Sequence, residues 1–222
     1  MRRKKLLWTG IALMLLFILW TVLIRCVDVQ PVGPEGTKVG FAAWNVRLHD
    51  LTGVHMFLYT ITDWLGLVPI FICGCFGIIG LCQWIQRKRL FRVDPDILLL
   101  GVYYLLVLAC YLFFEMIPVN YRPILIDGYL EASYPSSTTL LVLSVMPTMK
   151  FQADRRCKKP PLGYLATAFV FLFSAFMLIG RLMAGVHWAT DIIGSVLLSA
   201  GLFLLYCAAV AYTDQEKNEG KL

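Results

Sequence analysis

Charge is what this chain has least of. Only 15% of its 222 residues are charged, 14 acidic and 20 basic, while 59% are hydrophobic. That is too little polar surface for a soluble domain of this size, which excludes a water-soluble globule. Histidine is scarce, at three residues, and cysteine is odd in number, at seven. Cys73, Cys75, Cys82, Cys110 and Cys207 lie inside apolar runs, Cys157 falls in a basic connection, and only Cys26 sits near an expected outer surface. Their spacing matches neither a disulfide framework nor a zinc site, so they read as packing residues. There is no internal repeat and no low-complexity tract.

What is there is a series of apolar runs close to the ~20 residues that cross a bilayer. They predict spans at 5–24, 65–86, 97–117, 136–150, 162–182 and 191–212. Six helices leave no room for a separate soluble domain, so the expectation is an all-α, six-helix membrane bundle occupying residues 1–222 as one domain. The first run follows Arg2-Arg3-Lys4-Lys5 and so has the start of a signal peptide. It is long, carries Trp8 and Trp20, and ends at Arg25 without a small-x-small cleavage site, which predicts a retained anchor helix.

Lysine and arginine set the orientation. All but five of the 20 basic residues fall in the N-terminal tail, 87–92, 150–159 or the C-terminal tail; the five are Arg25, Lys38, Arg47, Arg122 and Arg181. Both termini are therefore expected in the cytoplasm. The net charge of +6 follows from this topology and gives no sign of nucleic-acid binding.

The densest chemistry lies at 180–191, Gly-Arg-Leu-Met-Ala-Gly-Val-His-Trp-Ala-Thr-Asp, at an outward junction of two apolar runs. His187 and Asp191 are four apart and share a face if a helix begins near them. A carboxylate on one imidazole nitrogen would leave the other free to attack an electrophile, with Arg181 holding an oxyanion beside it. An interfacial histidine followed by a helix-capping aspartate would use the same residues.

The other outer segments add polar groups. Pro31, Gly33, Pro34, Gly36 and Gly40 break regular structure, and 41–50 reads as a short interfacial helix bearing His49, with His55 just beyond. Glu115 lies near the outer end of the third span, where a carboxylate must snorkel, pair or be protonated. Arg122 follows, then Pro135-Ser136-Ser137-Thr138-Thr139 opens the short fourth span, in which Pro147 predicts a bend. A helix start rich in hydroxyls and free N–H groups suits phosphate and is also an ordinary cap.

Three outward clusters, Arg122-Pro123, Pro135-Ser136-Ser137-Thr138 and Arg181…His187…Asp191, resemble the type 2 phosphatidic acid phosphatase superfamily, which includes lipid phosphate phosphatases and soluble vanadium haloperoxidases. The likeness covers nearly the whole chain, and the arginine–histidine–aspartate spacing of the third cluster is its most specific part. It implies that His187 attacks phosphorus, Asp191 orients it, Arg122 and Arg181 clamp the phosphoryl oxygens, and Ser136 with Ser137, Thr138 and their amides completes the cradle. No cofactor or metal is implied. The partners would be a phosphorylated lipid and the surrounding membrane lipids, in a bacterial plasma membrane with the site facing outward.

The departures are equally specific. Where the family has a lysine seven residues before the first arginine, this chain has Glu115; where it has Pro-Ser-Gly-His, this chain has Thr138 at the last place; Gly180 replaces a serine. A general acid is worth roughly 10²–10⁴ in rate, and threonine cannot supply that proton. A lipid diphosphate releases a phosphate, whose second pKa is about 6, and so needs no acid. The expected activity is therefore a lipid phosphatase favouring polyprenyl or other lipid diphosphates. The alternative is a catalytically impaired relative that binds phosphorylated lipids. Glu115 has three readings: an ion pair with Arg122, a proton donor, or a contact to a cationic headgroup. His49 or His55 could also serve as the substitute acid. A haloperoxidase fits least, since the lysine and histidine that are missing both belong to its vanadate pocket.

Overall fold

A computed structural model describes residues 2–156 and 160–220. It is all-helical: α1 (Arg2–Cys26), α2 (Ala42–Thr52), α3 (Met56–Leu65), α4 (Leu67–Arg87), α5 (Pro95–Met116), α6 (Ser137–Arg156), α7 (Pro160–Met183) and α8 (Ala189–Asn218). Among the described residues the only β pairing is isolated bridges, such as Tyr121 with Ala132 in the connection between α5 and α6.

Five stretches are long and apolar enough to cross a membrane: α1, α3 running into α4, α5, α7 and α8. The expected span at 136–150 corresponds to α6, which does not meet that test because its polar groups are used inside the bundle. The Tyr103 hydroxyl donates to the Ser144 carbonyl at 3.0 Å, Tyr104 and Thr148 share a bond of 2.7 Å, and Gln152 donates to the Tyr206 hydroxyl at 2.7 Å. A helix that satisfies its hydroxyls and amides against neighbours need not be apolar. α6 continues as helix through Lys150–Arg156, in place of the expected loop, with Arg156 bonded to Asp96 at 2.9 Å. Cys157, Lys158 and Lys159, which belong to the basic connection, lie outside the described residues. The polar C-terminal stretch from Asp214 is likewise helical as far as Asn218.

The core forms where α1 runs along α8 and α5 and α6 close the other sides. Phe17, Leu100, Tyr103, Leu198, Leu202 and Tyr206 are buried there. Phe17 stacks on Tyr134, and Phe114 meets both edge-on, which ties the α5–α6 connection to the helices. α7 turns Phe169, Phe171, Leu172, Phe176 and Ile179 outward, the side hydrocarbon would cover.

The N-terminal end of α8 is fixed from two other helices. Trp20 of α1 donates to the Thr190 carbonyl at 3.1 Å, and buried Asn45 of α2 bridges the Gly40 carbonyl and the Thr190 hydroxyl. These bonds hold the chain just ahead of α8, which contains His187, against the ends of α1 and α2.

Candidate active site

α7 delivers Arg181 in its last turn, where the side chain is almost completely buried. Gly180 makes room for it. A Cβ there would stand 2.8 Å from Thr62 Cγ2, so the glycine lets α3 pack directly on α7. α3 in turn surrounds the guanidinium. Tyr59 places its ring 5.0 Å below it, Thr62 Oγ1 accepts from Nη1 at 3.5 Å, and Asp63 lies 3.7 Å from the same nitrogen. These three residues recur at helical spacing and so share one face.

The turn between α7 and α8 carries His187 inward. Gly185 has φ of +70°, and a Cβ on it would lie 2.2 Å from the Gly53 carbonyl oxygen, so the turn requires glycine. His49 pins the same residue, its Nε2 lying 3.1 Å from the Gly185 carbonyl while its ring packs against Trp188. His49 is thus part of the wall behind His187, and His55 bonds locally to the Thr52 carbonyl.

His187 Nε2 is 3.2 Å from Arg181 Nη2 and 3.5 Å from Arg122 Nη1. Arginine can only donate, so Nε2 must present its lone pair. The proton then resides on Nδ1, which donates to the Ser133 carbonyl at 3.2 Å. Burial, reinforced by Arg122 and Arg181, holds the imidazole pKa well below its ordinary 6.5. His187 is therefore neutral at neutral pH, with its free nitrogen facing two cations.

Asp191 differs from the sequence expectation. Its Oδ2 is 4.0 Å from His187 Nδ1, beyond hydrogen-bond range. Helical spacing does not operate between the two because α8 starts at Ala189, after the histidine. Instead the carboxylate accepts from Ser133 Oγ at 2.6 Å, Asn120 Nδ2 at 3.0 Å and the Trp188 amide at 3.0 Å. Ser133 is the bridge: its carbonyl takes the histidine proton and its hydroxyl serves the aspartate.

Arg122 pairs with Glu131, Nε to Oε2 at 2.9 Å, across the bridged α5–α6 connection. The Glu115–Arg122 ion pair is not formed. Glu115 is exposed and makes no ion pair among the described residues. The last turn of α5 ends at Met116, so the helix does not continue to bring the two together.

Ser136 is buried, its hydroxyl bonded to Thr139 at 3.0 Å and its amide pointing at the Asp191 carbonyl at 3.4 Å. Ser137 and Thr138 begin α6 and line the mouth of a cavity of about 610 Å³ between α4, α5 and α6. Its walls are mainly apolar, including Leu67, Ile70, Leu105, Leu108, Leu141 and Val145, with Asp63 also at its edge.

A neutral imidazole and two guanidinium groups converge from the segments that carried the sequence motifs, and the sequence model of the PAP2 superfamily matches residues 103–215, from α5 through α8. The chain belongs to the PAP2 superfamily. A solved PAP2 structure has the same fold: the crystal structure of a transmembrane PAP2 type phosphatidylglycerolphosphate phosphatase from Bacillus subtilis. It superposes with a TM-score of 0.62 over 93% of this chain and 96% of that one, at 16% identity. No curated protein sequence matches the chain. The PAP2 match includes Arg122, Ser136, Arg181, His187 and Asp191 and stops short of α3. Sequence reasoning therefore missed Asp63, Glu131, Ser133 and Asn120. Asp63 alone left a signal, a carboxylate inside the apolar stretch 56–72.

Proposed function

We propose that the protein is a membrane lipid phosphatase, acting as a single unit over residues 1–222, with its site at the outer face and His187 as nucleophile. The observation that carries this is the approach of Arg181 and Arg122 to the same Nε2 lone pair. A phosphoryl group entering there would place its oxygens on the two guanidiniums and its phosphorus against the imidazole nitrogen. The buried Nε–H of Arg181 makes no hydrogen bond, which leaves a donor available for a phosphoryl oxygen, while Arg122 Nε is held by Glu131 at 2.9 Å. Attack would give a phosphohistidine, which water then hydrolyses.

The cavity behind Ser137 and Thr138 suits the hydrocarbon chain of the lipid. With threonine at 138, leaving groups that depart without a proton are favoured, so lipid diphosphates should react faster than lipid monophosphates. The Lys/Arg distribution supports cytoplasmic termini and an outward site, as in a bacterial plasma membrane. The test is a panel of matched lipid monophosphates and diphosphates offered to purified protein. Faster phosphate release from the monoester would refute the diphosphate preference.

A second reading has support from the ion pairs: both arginines already face a carboxylate, Glu131 and Asp63, as would suit a relative that binds phosphorylated lipid without turning it over. His187→Ala separates the two, because phosphate release that does not depend on His187 would leave only binding.

A further inference from the structure

α3 lies outside the PAP2-matched segment, yet it forms one wall of the arginine–histidine cluster. Its Asp63 occupies a particular place. One carboxylate oxygen is 3.7 Å from Arg181 Nη1, and the other terminal nitrogen of that guanidinium is 3.2 Å from His187 Nε2. A single planar group thus separates Asp63 from the attacking nitrogen. The Asp63 side chain is 59% exposed, so a ligand in the mouth can reach it.

The same carboxylate lines the cavity mouth together with Ser137 and Thr138 of α6 and Tyr111 of α5. Thr138 packs into this corner: a Cβ on Gly66, three residues after Asp63, would be 3.5 Å from Thr138 Cγ2. Threonine at 138 cannot supply a proton at neutral pH, and Asp63 lines the same cavity from the neighbouring helix. A lipid whose phosphoryl group sat on the two arginines and whose chain filled the cavity would carry its ester oxygen past Asp63, which lines that cavity and lies 3.7 Å from Arg181.

We propose that Asp63 is the proton donor to the leaving oxygen, supplying from α3 what residue 138 cannot. This rests on the reading of His187 as nucleophile; it gives lipid monophosphates a route to turnover, while diphosphates, which need no proton, remain the faster substrates. In the first step His187 Nε2 forms a bond to phosphorus, the phosphorus–oxygen bond to the lipid breaks, and the Asp63 proton passes to the departing oxygen, giving the lipid alcohol and an Asp63 carboxylate. In the second step water attacks the phosphohistidine, Asp63 takes the proton that water releases, and phosphate leaves with His187 restored. The proton enters with the substrate. A phosphate monoester has a second pKa of about 6 and arrives partly as a monoanion, and its proton is the one that Asp63 relays to the leaving oxygen. The groups facing Asp63 are Arg181 from α7, Ser137 and Thr138 from α6, Tyr111 across the cavity on α5, and Tyr59 and Thr62 on its own helix.

The experiment compares Asp63→Asn with wild type on two substrates in detergent micelles, a diacylglycerol monophosphate and a prenyl diphosphate. Losing an acid should slow the monoester by about 10²–10⁴-fold and the diphosphate far less, so the ratio of the two rates shifts by at least about a hundredfold. Asp63→Glu should recover much of the monoester rate, and Thr138→His added to Asp63→Asn should do so from the opposite wall. Equal losses on both substrates would make Asp63 only a support for Arg181 and overturn the assignment, as would no loss on either. Wild type that cleaves the diphosphate and leaves the monoester untouched would also overturn it while sparing the phosphatase reading. Wild type inert to both would sink the phosphatase reading and the proton donor together.

Discussion

The Nε2 atom of His187 lies 3.2 Å from Nη2 of Arg181, a contact in which only the arginine can donate. That one direction of donation determines the tautomer, sends the ring proton to Ser133, and leaves a lone pair aimed at the place a phosphorus atom would occupy. Each consequence of that geometry is open to measurement.

Activity should persist to lower pH than an ordinary histidine nucleophile would permit. Burial and the two arginines lower the His187 pKa, so the acid limb of kcat/KM should fall below 6.5. Arg122→Met, which removes one neighbouring cation, should move that limb upward. The same depression links to stability. As pH falls below 6.5 the unfolded chain takes up a proton that native His187 refuses, so stability should fall in that window and be fully present above it. Thermal unfolding of wild type and His187→Gln against pH checks the sign, and the variant should lose that slope.

Ser133→Ala should damage the site without changing the tautomer. The acceptor for His187 Nδ1 is the Ser133 carbonyl, which alanine keeps, while Asp191 loses its 2.6 Å bond. Weakening a buried carboxylate in this way costs about 1–3 kcal/mol. Denaturant unfolding should show that loss, and kcat should fall by roughly tenfold or more for each ~1.4 kcal/mol felt in the transition state.

Glu131 and Glu115 should behave differently although both are acids at the outer end. Glu131→Gln removes the counter-charge of Arg122 and should strengthen binding of lipid phosphate, seen as a lower KM. Glu115→Gln touches an exposed side chain with no ion pair among the described residues, and stability should change by no more than about 0.5 kcal/mol. A large effect of Glu115→Gln on KM would show that position 115 meets the substrate.

Gly185→Ala should disable the candidate site through the backbone. The left-handed φ and the 2.2 Å approach to Gly53 leave no space for a methyl group. Strain of this kind costs about 1–3 kcal/mol, and the turn that aims His187 would shift. Loss of activity with retained helical circular dichroism is the expected result.

The sequence by itself determined the membrane character, the all-helical class, most span positions and the three motif clusters. These depend on short-range patterns: apolar runs long enough for a bilayer, and motif residues at fixed spacing around Arg122, Ser136 and His187. Tertiary structure decided who pairs with whom. Asp191 turned to Ser133 and Asn120, Arg122 took Glu131 in place of Glu115, and Arg181 acquired Asp63 from α3, because each choice depends on where distant segments meet across the bundle. α6 shows the same division. The sequence predicts a span at 136–150, but the bonds to Tyr103, Tyr104 and Tyr206 that satisfy its polar groups exist only once α5 and α8 have closed around it.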